Sequence, residues 1–204
     1  MSCRGSSKSR QRFSNNVKGD FATSTDWTTQ KQAPVFCDCE ASGLDGFPIE
    51  IGLAFAGAKT GVIISEDYLI RPPADWPVEK TWDESSEVLH GISFLRPTTE
   101  GRPVWNIARR MNQALAGWEL FSDSPLDKSW LTRIFNAAGL DPAFTIRRMD
   151  AEVMIAALAM SRGLDAATYA LARSNAALLE PRIHPAGPDA RYLATLLAQF
   201  LNAF

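Results

Sequence analysis

Three apolar runs follow one another at the start of the folded part of this chain, at residues 34–39, 49–56 and 61–70. The connections between them are too short to hold a helix. The first is a turn around Gly43-Leu44-Asp45-Gly46, and the third run is β-branched at Val62, Ile63 and Ile64. Strands joined this tightly pair with their neighbours, so the spacing predicts an antiparallel three-stranded meander. Residues 71–102 are loop-rich, with Pro72, Pro73, Pro77 and Pro97, and leave room for one short helix near 84–90. Helical periodicity then runs through Ile107, Met111 and Leu115 until Gly117, followed by a short strand at 118–121. A second amphipathic helix carries Leu126, Trp130, Leu131, Ile134 and Phe135 and closes at Gly139. A fifth strand is expected at 144–149, then helices near 151–161, 165–178 and 188–203. The chain therefore reads as one α/β domain with a mixed five-stranded sheet flanked by helices.

Charge is distributed unevenly over the 204 residues. Residues 1–31 carry six Lys/Arg against Asp20 and Asp26, whereas the remainder carries 15 Lys/Arg against 21 Asp/Glu. The first stretch is polar and without apolar periodicity, so it is expected to be a disordered basic tail ahead of a folded domain at 32–204. Such a tail attracts polyanions, although a solvated extension with no specific role is the simpler reading. The acidic body is unlike that of a passive nucleic-acid binder. It suits a protein that gathers carboxylates around cations. Cys37 and Cys39 are two apart in a strand, too close for an ordinary disulfide, and there is no Cys/His zinc spacing. With no apolar run of about 18 residues and no secretory signal, the expectation is a cytoplasmic protein that does not enter a membrane.

Three segments carry candidate chemistry. In Asp38-Cys39-Glu40 the two carboxylates lie on one side of a strand, about 7 Å apart. At the end of an apolar run they repel unless a cation sits between them, and an all-oxygen site favours Mg²⁺ or Mn²⁺. The alternative is that both acids face solvent. Asp127 follows Ser124-Pro125, and there it either completes a capping box at the start of a helix or points into a ligand site at the end of the fourth strand. In His184-Pro185-Ala186-Gly187-Pro188-Asp189, Asp189 either complements a helix dipole or binds a cation. His184 is either a loop residue or a general base.

Taken together, these segments resemble the DEDDh exonucleases, the family of the proofreading subunit of bacterial replicative DNA polymerase, ribonuclease T and oligoribonuclease. The resemblance rests on Asp38-Cys39-Glu40-Ala41-Ser42-Gly43, Ile49-Glu50-Ile51-Gly52 and His90-Gly91-Ile92-Ser93. It continues through Asp123-Ser124-Pro125-Leu126-Asp127 with Trp130-Leu131, and through His184 with Asp189. It spans roughly residues 33–200 and implies a ribonuclease H-like sheet, whose element order the pattern above reproduces. It also implies a 3′–5′ exonuclease that releases nucleoside 5′-monophosphates from single-stranded DNA or RNA. Asp38, Glu40, Asp127 and Asp189 would hold two divalent cations, Mg²⁺ or Mn²⁺, and His184 would take the proton of the attacking water. Ala41, Ser42, Gly43 and Leu44 would touch the terminal nucleotide, with Leu44 against its base. The chain departs from the family at Asp123, where Asn is usual, and at Leu126, where Phe is usual. Asp123 thereby becomes a competitor of Asp127. A second reading keeps the fold and drops the turnover, leaving a nucleic-acid- or partner-binding module. His90 is expected to fix its loop by a hydrogen bond, and most of the six tryptophans to pack in the core or at its edge.

Overall fold

A computed structural model describes residues 34–57 and 61–201. The tail at 1–31 lies outside the described residues. The meander forms as expected: β1 (Val35–Ala41) pairs antiparallel with β2 (Pro48–Ala56), and β2 with β3 (Ile63–Arg71). Every residue of β1 and β2 is buried, because layers cover both faces of the sheet at its centre.

The stretch between β3 and the next long helix holds more structure than its prolines suggest. It contains α1 (Val78–Thr81), α2 (Glu84–His90), α3 (Arg96–Glu100) and a two-residue strand, β4 (Arg102–Pro103). Pro97 sits in the first turn of α3, where a missing N–H is harmless. β4 runs parallel to the end of β3, which makes the sheet six-stranded where five strands were expected. A pair this short leaves no periodicity to read.

Helix and strand then alternate through α4 (Val104–Leu115), β5 (Glu119–Ser122), α5 (Pro125–Ala138) and β6 (Thr145–Asp150). α5 begins on Ser124, which accepts from the Leu126 amide, and ends on Gly139 at φ +63°, the left-handed conformation that glycine adopts without strain. β5 lies parallel to β1 and to β6, giving the strand order β4-β3-β2-β1-β5-β6. α6 (Ala151–Ser161), α7 (Ala166–Leu179) and α8 (Ala186–Leu201) complete the domain. α8 starts two residues earlier than the Gly187-Pro188 signal implied.

The sheet separates two apolar layers. On one face Cys37, Cys39, Ile51 and Tyr68 pack with α4 and α5 through Ile107, Met111, Leu131 and Ile134. On the other, Phe36 and Ala54 meet α6, α7 and α8 through Ile155, Ala176, Leu193 and Leu197. Strand alternation thus sends Cys37 and Cys39 into the α4/α5 layer and Asp38 and Glu40 toward α8. The start of α8 approaches β2 closely at Gly52, where an added Cβ would stand 2.2 Å from the Ala186 carbonyl oxygen and 2.5 Å from the Gly187 nitrogen.

Both neighbours of that Cβ are backbone and cannot swing aside. Gly52→Ala should therefore push α8 off the sheet and lower the unfolding free energy by roughly 1–3 kcal/mol, the range for overpacking a dense site. Urea unfolding of the two proteins at equal m-value measures it, and an unchanged midpoint would refute the close approach.

Candidate metal centre

The acids collect where β1 changes partners, between antiparallel β2 and parallel β5. Asp38 and Glu40 sit opposite Gly52 and Glu50 in the β1–β2 register. Both are buried, at 9% and 8% exposure, which removes the solvent-face alternative. Asp127 enters from the first turn of α5 and is wholly buried, at 0%. Neither of its carboxylate oxygens has a hydrogen-bond partner. It therefore does not return a capping bond to Ser124. The Ser122 hydroxyl and the Cys39 amide lie near enough to ease its charge, without reaching hydrogen-bond geometry. Asp189 enters from α8 at 2% exposure, and its Oδ1 is also without a partner.

Asp38, Asp123 and Asp127 form the tightest set, each offering an oxygen within 4.8 Å of the others. The sequence reading set Asp123 against Asp127 as rivals, but both point inward. Glu40 and Asp189 are not part of that set, but the charge of Asp189 raises both Asp38 and Glu40, and the charge of Glu40 raises Asp38. At an effective dielectric of about 20, two unit charges about 5 Å apart repel by about 3 kcal/mol. Burial adds to the repulsion. Desolvation, followed by the charge of Glu50, pushes Glu40 up to about 9. Asp127 is pushed up to about 7, by burial first and Asp123 second. Asp38 rises well above the carboxylate range, through burial and then the charge of Asp127.

Two residues that the sequence reading gave no role shape this cluster. Glu50 is buried beside Glu40 and accepts the Ala186 amide at 2.7 Å, so a strand side chain anchors the first turn of α8. Its visible signal was an acid in the middle of an apolar strand. Arg182 reaches Asp123 at 2.6 Å and Asp189 at 3.6 Å, touches Glu152 at 3.7 Å, and lies over the Tyr192 ring. Nothing in its local sequence marks it, because its partners come from three separate elements.

His184 is exposed, in the segment joining α7 to α8, with φ +62°. A non-glycine residue there is strained by roughly 1 kcal/mol or more, a condition common at functional positions. Its charge is felt at Asp189, next to which it stands. His90 is buried and accepts the Ile92 amide at Nδ1, 3.0 Å away, which fixes its loop as anticipated. At the end of β1 and in the turn that follows, Ala41, Ser42 and Gly43 are buried and Leu44 is 71% exposed. The Ser42 hydroxyl bonds to Thr81 Oγ1 and the Phe47 amide, so it is engaged in holding the turn. Trp118 and Trp130 are buried, Trp76 stacks on Phe47, and Trp82 packs edge-on to Phe94. Among the described residues Trp105 is the exception, 51% exposed, and Trp27 lies outside them.

This arrangement suits a divalent cation. Its donors are all oxygens, several lack any other partner, and a cation would relieve both the burial and the repulsion.

No protein-family model matches the chain, and no curated protein sequence does. Solved structures do match. E. coli exonuclease I in complex with a dA16 oligonucleotide superposes with a TM-score of 0.59 at 15% identity, over 83% of this chain and 41% of the other. The same enzyme with a dT13 oligonucleotide gives 0.56 at 14% identity, over 84% and 41%. The zinc-bound E. coli ExoI–ssDNA complex gives 0.55 at 14%, over 82% and 40%. The chain thus spans about two fifths of the length of these neighbours. At such identity the likeness establishes the ribonuclease H-like fold. Among the described residues, no helix is long and apolar enough to cross a membrane.

The raised carboxylates set a pH dependence for the cation-free protein. An acid whose folded-state pKa lies above its unfolded value of about 4 binds more protons when folded, so its stabilising contribution is lost as pH rises through the folded value. With Asp127 at about 7 and Glu40 at about 9, that loss begins above about pH 4 and is complete near pH 9. In EDTA the melting temperature should fall steadily across this window. A flat profile would mean that the acids are not packed together.

Proposed function

We propose that this chain is a divalent-cation-dependent 3′–5′ exonuclease that hydrolyses terminal phosphodiester bonds of single-stranded DNA or RNA and releases nucleoside 5′-monophosphates. The observation that carries the reading is Asp127: a fully buried carboxylate, without hydrogen bonds, beside Asp38 of the central strand β1. The fold supports it, and so do the order and spacing of the motifs. The E. coli enzyme with the same fold has been solved with oligonucleotides bound.

Asp38, Glu40, Asp127 and Asp189 would hold two cations, Mg²⁺ or Mn²⁺, with Asp123 as a further oxygen donor. When bound, such ions would acidify a water and share the charge of the phosphate being cleaved. The chain's own residues do the rest. Asp127 and Asp38 keep rigid, water-poor walls around the scissile group, since both lie in packed elements. His184, at the exposed rim, accepts the proton of the attacking water at an imidazole nitrogen and passes it to solvent. Arg182 keeps Asp123 and Asp189 in register and lends the cluster positive charge. Leu44 presents an apolar surface to the last base, and Ala41, Ser42 and Gly43 shape the turn that carries it.

Arg182 also favours the second reading, a binding module without turnover, because a guanidinium partly neutralises the acids with no metal at all. Two variants separate the readings. Asp127→Asn removes one of the clustered charges, so in EDTA near pH 8 it should melt several degrees above the parent. With saturating Mn²⁺ the order should reverse, because the parent alone gains the full binding stabilisation. A parent that gains nothing from Mn²⁺ has no cation site. His184→Ala should bind Mn²⁺ normally and lower kcat by roughly 10²–10⁴-fold, the usual worth of a general base. Full activity in that variant at neutral pH would remove His184 from the chemistry. The deciding assay incubates the protein with 5′-labelled single-stranded DNA and RNA in Mg²⁺, Mn²⁺ or EDTA. A ladder shortening from the 3′ end, with mononucleotide product and only in the presence of cation, is expected.

A further inference from the structure

A second cleft, of about 520 Å³, opens at the far edge of the sheet where α4 crosses β3 and β4. Its walls carry Arg102, Arg109, Arg110, Asn106, Gln113 and Tyr68, and no carboxylate. Four of these form one stripe of α4: Asn106, Arg109, Arg110 and Gln113 fall at i, i+3, i+4 and i+7, on one side of the helix. The opposite side of the same helix, Val104, Ile107, Ala108, Met111 and Leu115, packs into the core. The helix has no acid in its sequence. This polar stripe stands out in a body that is otherwise net acidic.

The cleft is braced. Glu66 takes hydrogen bonds from Arg110 on both carboxylate oxygens, Nε at 3.0 Å and Nη2 on the other, and also from the Tyr68 hydroxyl. One acid beneath the wall therefore orients an arginine and an aromatic ring. Arg102 lies over that ring, 5.2 Å from its centre. Arg109 is exposed, and Trp105, four residues before it and so on the same side of α4, shows half its surface to solvent.

We propose that this cleft binds the phosphodiester backbone of a nucleic-acid strand, as a second contact separate from the carboxylate centre. Guanidinium groups match phosphate oxygens in pairs, and exposed Arg109 beside Arg102 and the Glu66-braced Arg110 gives the wall a net positive charge. An open cleft beside an exposed tryptophan suits a strand, whose bases can stack on the ring while its phosphates meet the arginines. Tyr68 belongs to the α4/α5 face of the sheet, whereas Asp38 and Glu40 face α8, so the two sites lie on opposite faces. The cleft grips a strand away from its end.

The test is binding in EDTA, where no hydrolysis occurs, using the full chain and a fluorescent dT oligomer of about 30 nucleotides. Three variants report on it: Arg109→Glu, the pair Arg102→Gln with Arg109→Gln, and Trp105→Ala, each first checked for an unchanged melting temperature. Losing two phosphate contacts should weaken binding about tenfold or more at moderate salt. It should also reduce the slope of log K against log salt by roughly 1.4, at about 0.7 per contact for single strands. Trp105→Ala should weaken binding without altering the slope. Unchanged affinity and slope in the arginine variants overturn the proposal. So does an acidic peptide such as octa-aspartate that binds the parent more tightly than dT and loses binding in the same variants. The hydrolysis assay is independent: a parent that binds through the cleft but never cleaves keeps this inference and removes the nuclease reading.

Discussion

Mutual repulsion among buried acids is the constraint around which this molecule is arranged. Charges of one sign placed in a low-dielectric core would ordinarily drive it apart or lose their ionisation. Here they are tolerated because the elements that carry them are fixed from elsewhere. β1 is held by partners on both sides, α5 by its apolar seam against the sheet, and α8 by an almost wholly buried surface. Asp38, Asp127 and Asp189 are therefore not free to drift apart. Glu50 adds a further bond, tying the start of α8 to β2. Arg182 supplies countercharge from the segment just ahead of that helix. Stability made in the two apolar layers is partly given up at the point where they meet.

The fold was legible because its signals are local and repeated. Three closely spaced apolar runs can hardly avoid a meander, and the alternation that follows has cues at both ends of α5, Ser124 and Gly139. The misread region was 71–102, where α1, α3 and β4 are each shorter than the periods that reveal helices and strands. The candidate site divides along the same line. That Asp38 and Glu40 share a side of β1 follows from strand geometry alone. That Asp127 is buried instead of capping could not be read, since Ser124-Pro125-Leu126-Asp127 suits either outcome and only the neighbouring β1 decides it. The inward position of Asp123 was open for the same reason. Arg182 was invisible, because a contact to Asp123 crosses most of the distance between two motifs and leaves no trace in local spacing.

The two halves of the sheet carry different burdens. The parallel side, β1 with β5 and β6, brings strand ends and helix starts together, which is where this architecture gathers polar groups. The antiparallel side is a platform. Gly52 lets α8 lie flat on it, and Tyr68 and Arg102 at its rim face away from the acids. A chain that is acidic as a whole can in this way present a negative centre and a positive edge without either cancelling the other, since several strands and a layer of side chains intervene.

The placement of α8 has a consequence for how the molecule comes into being. Asp38 and Asp189 lie about 150 residues apart in the chain, and Asp38 is synthesised well before Asp189, yet they belong to one cluster. Until α8 has emerged, one face of the meander, with Phe36, Ala54 and the acids, lacks its main cover. Its nascent form is a half-clothed sheet with an exposed apolar face and fewer charges in conflict. Closure by α8 is a late, long-range event of the kind that slows folding, and it assembles the carboxylate centre in the same stroke that seals the core.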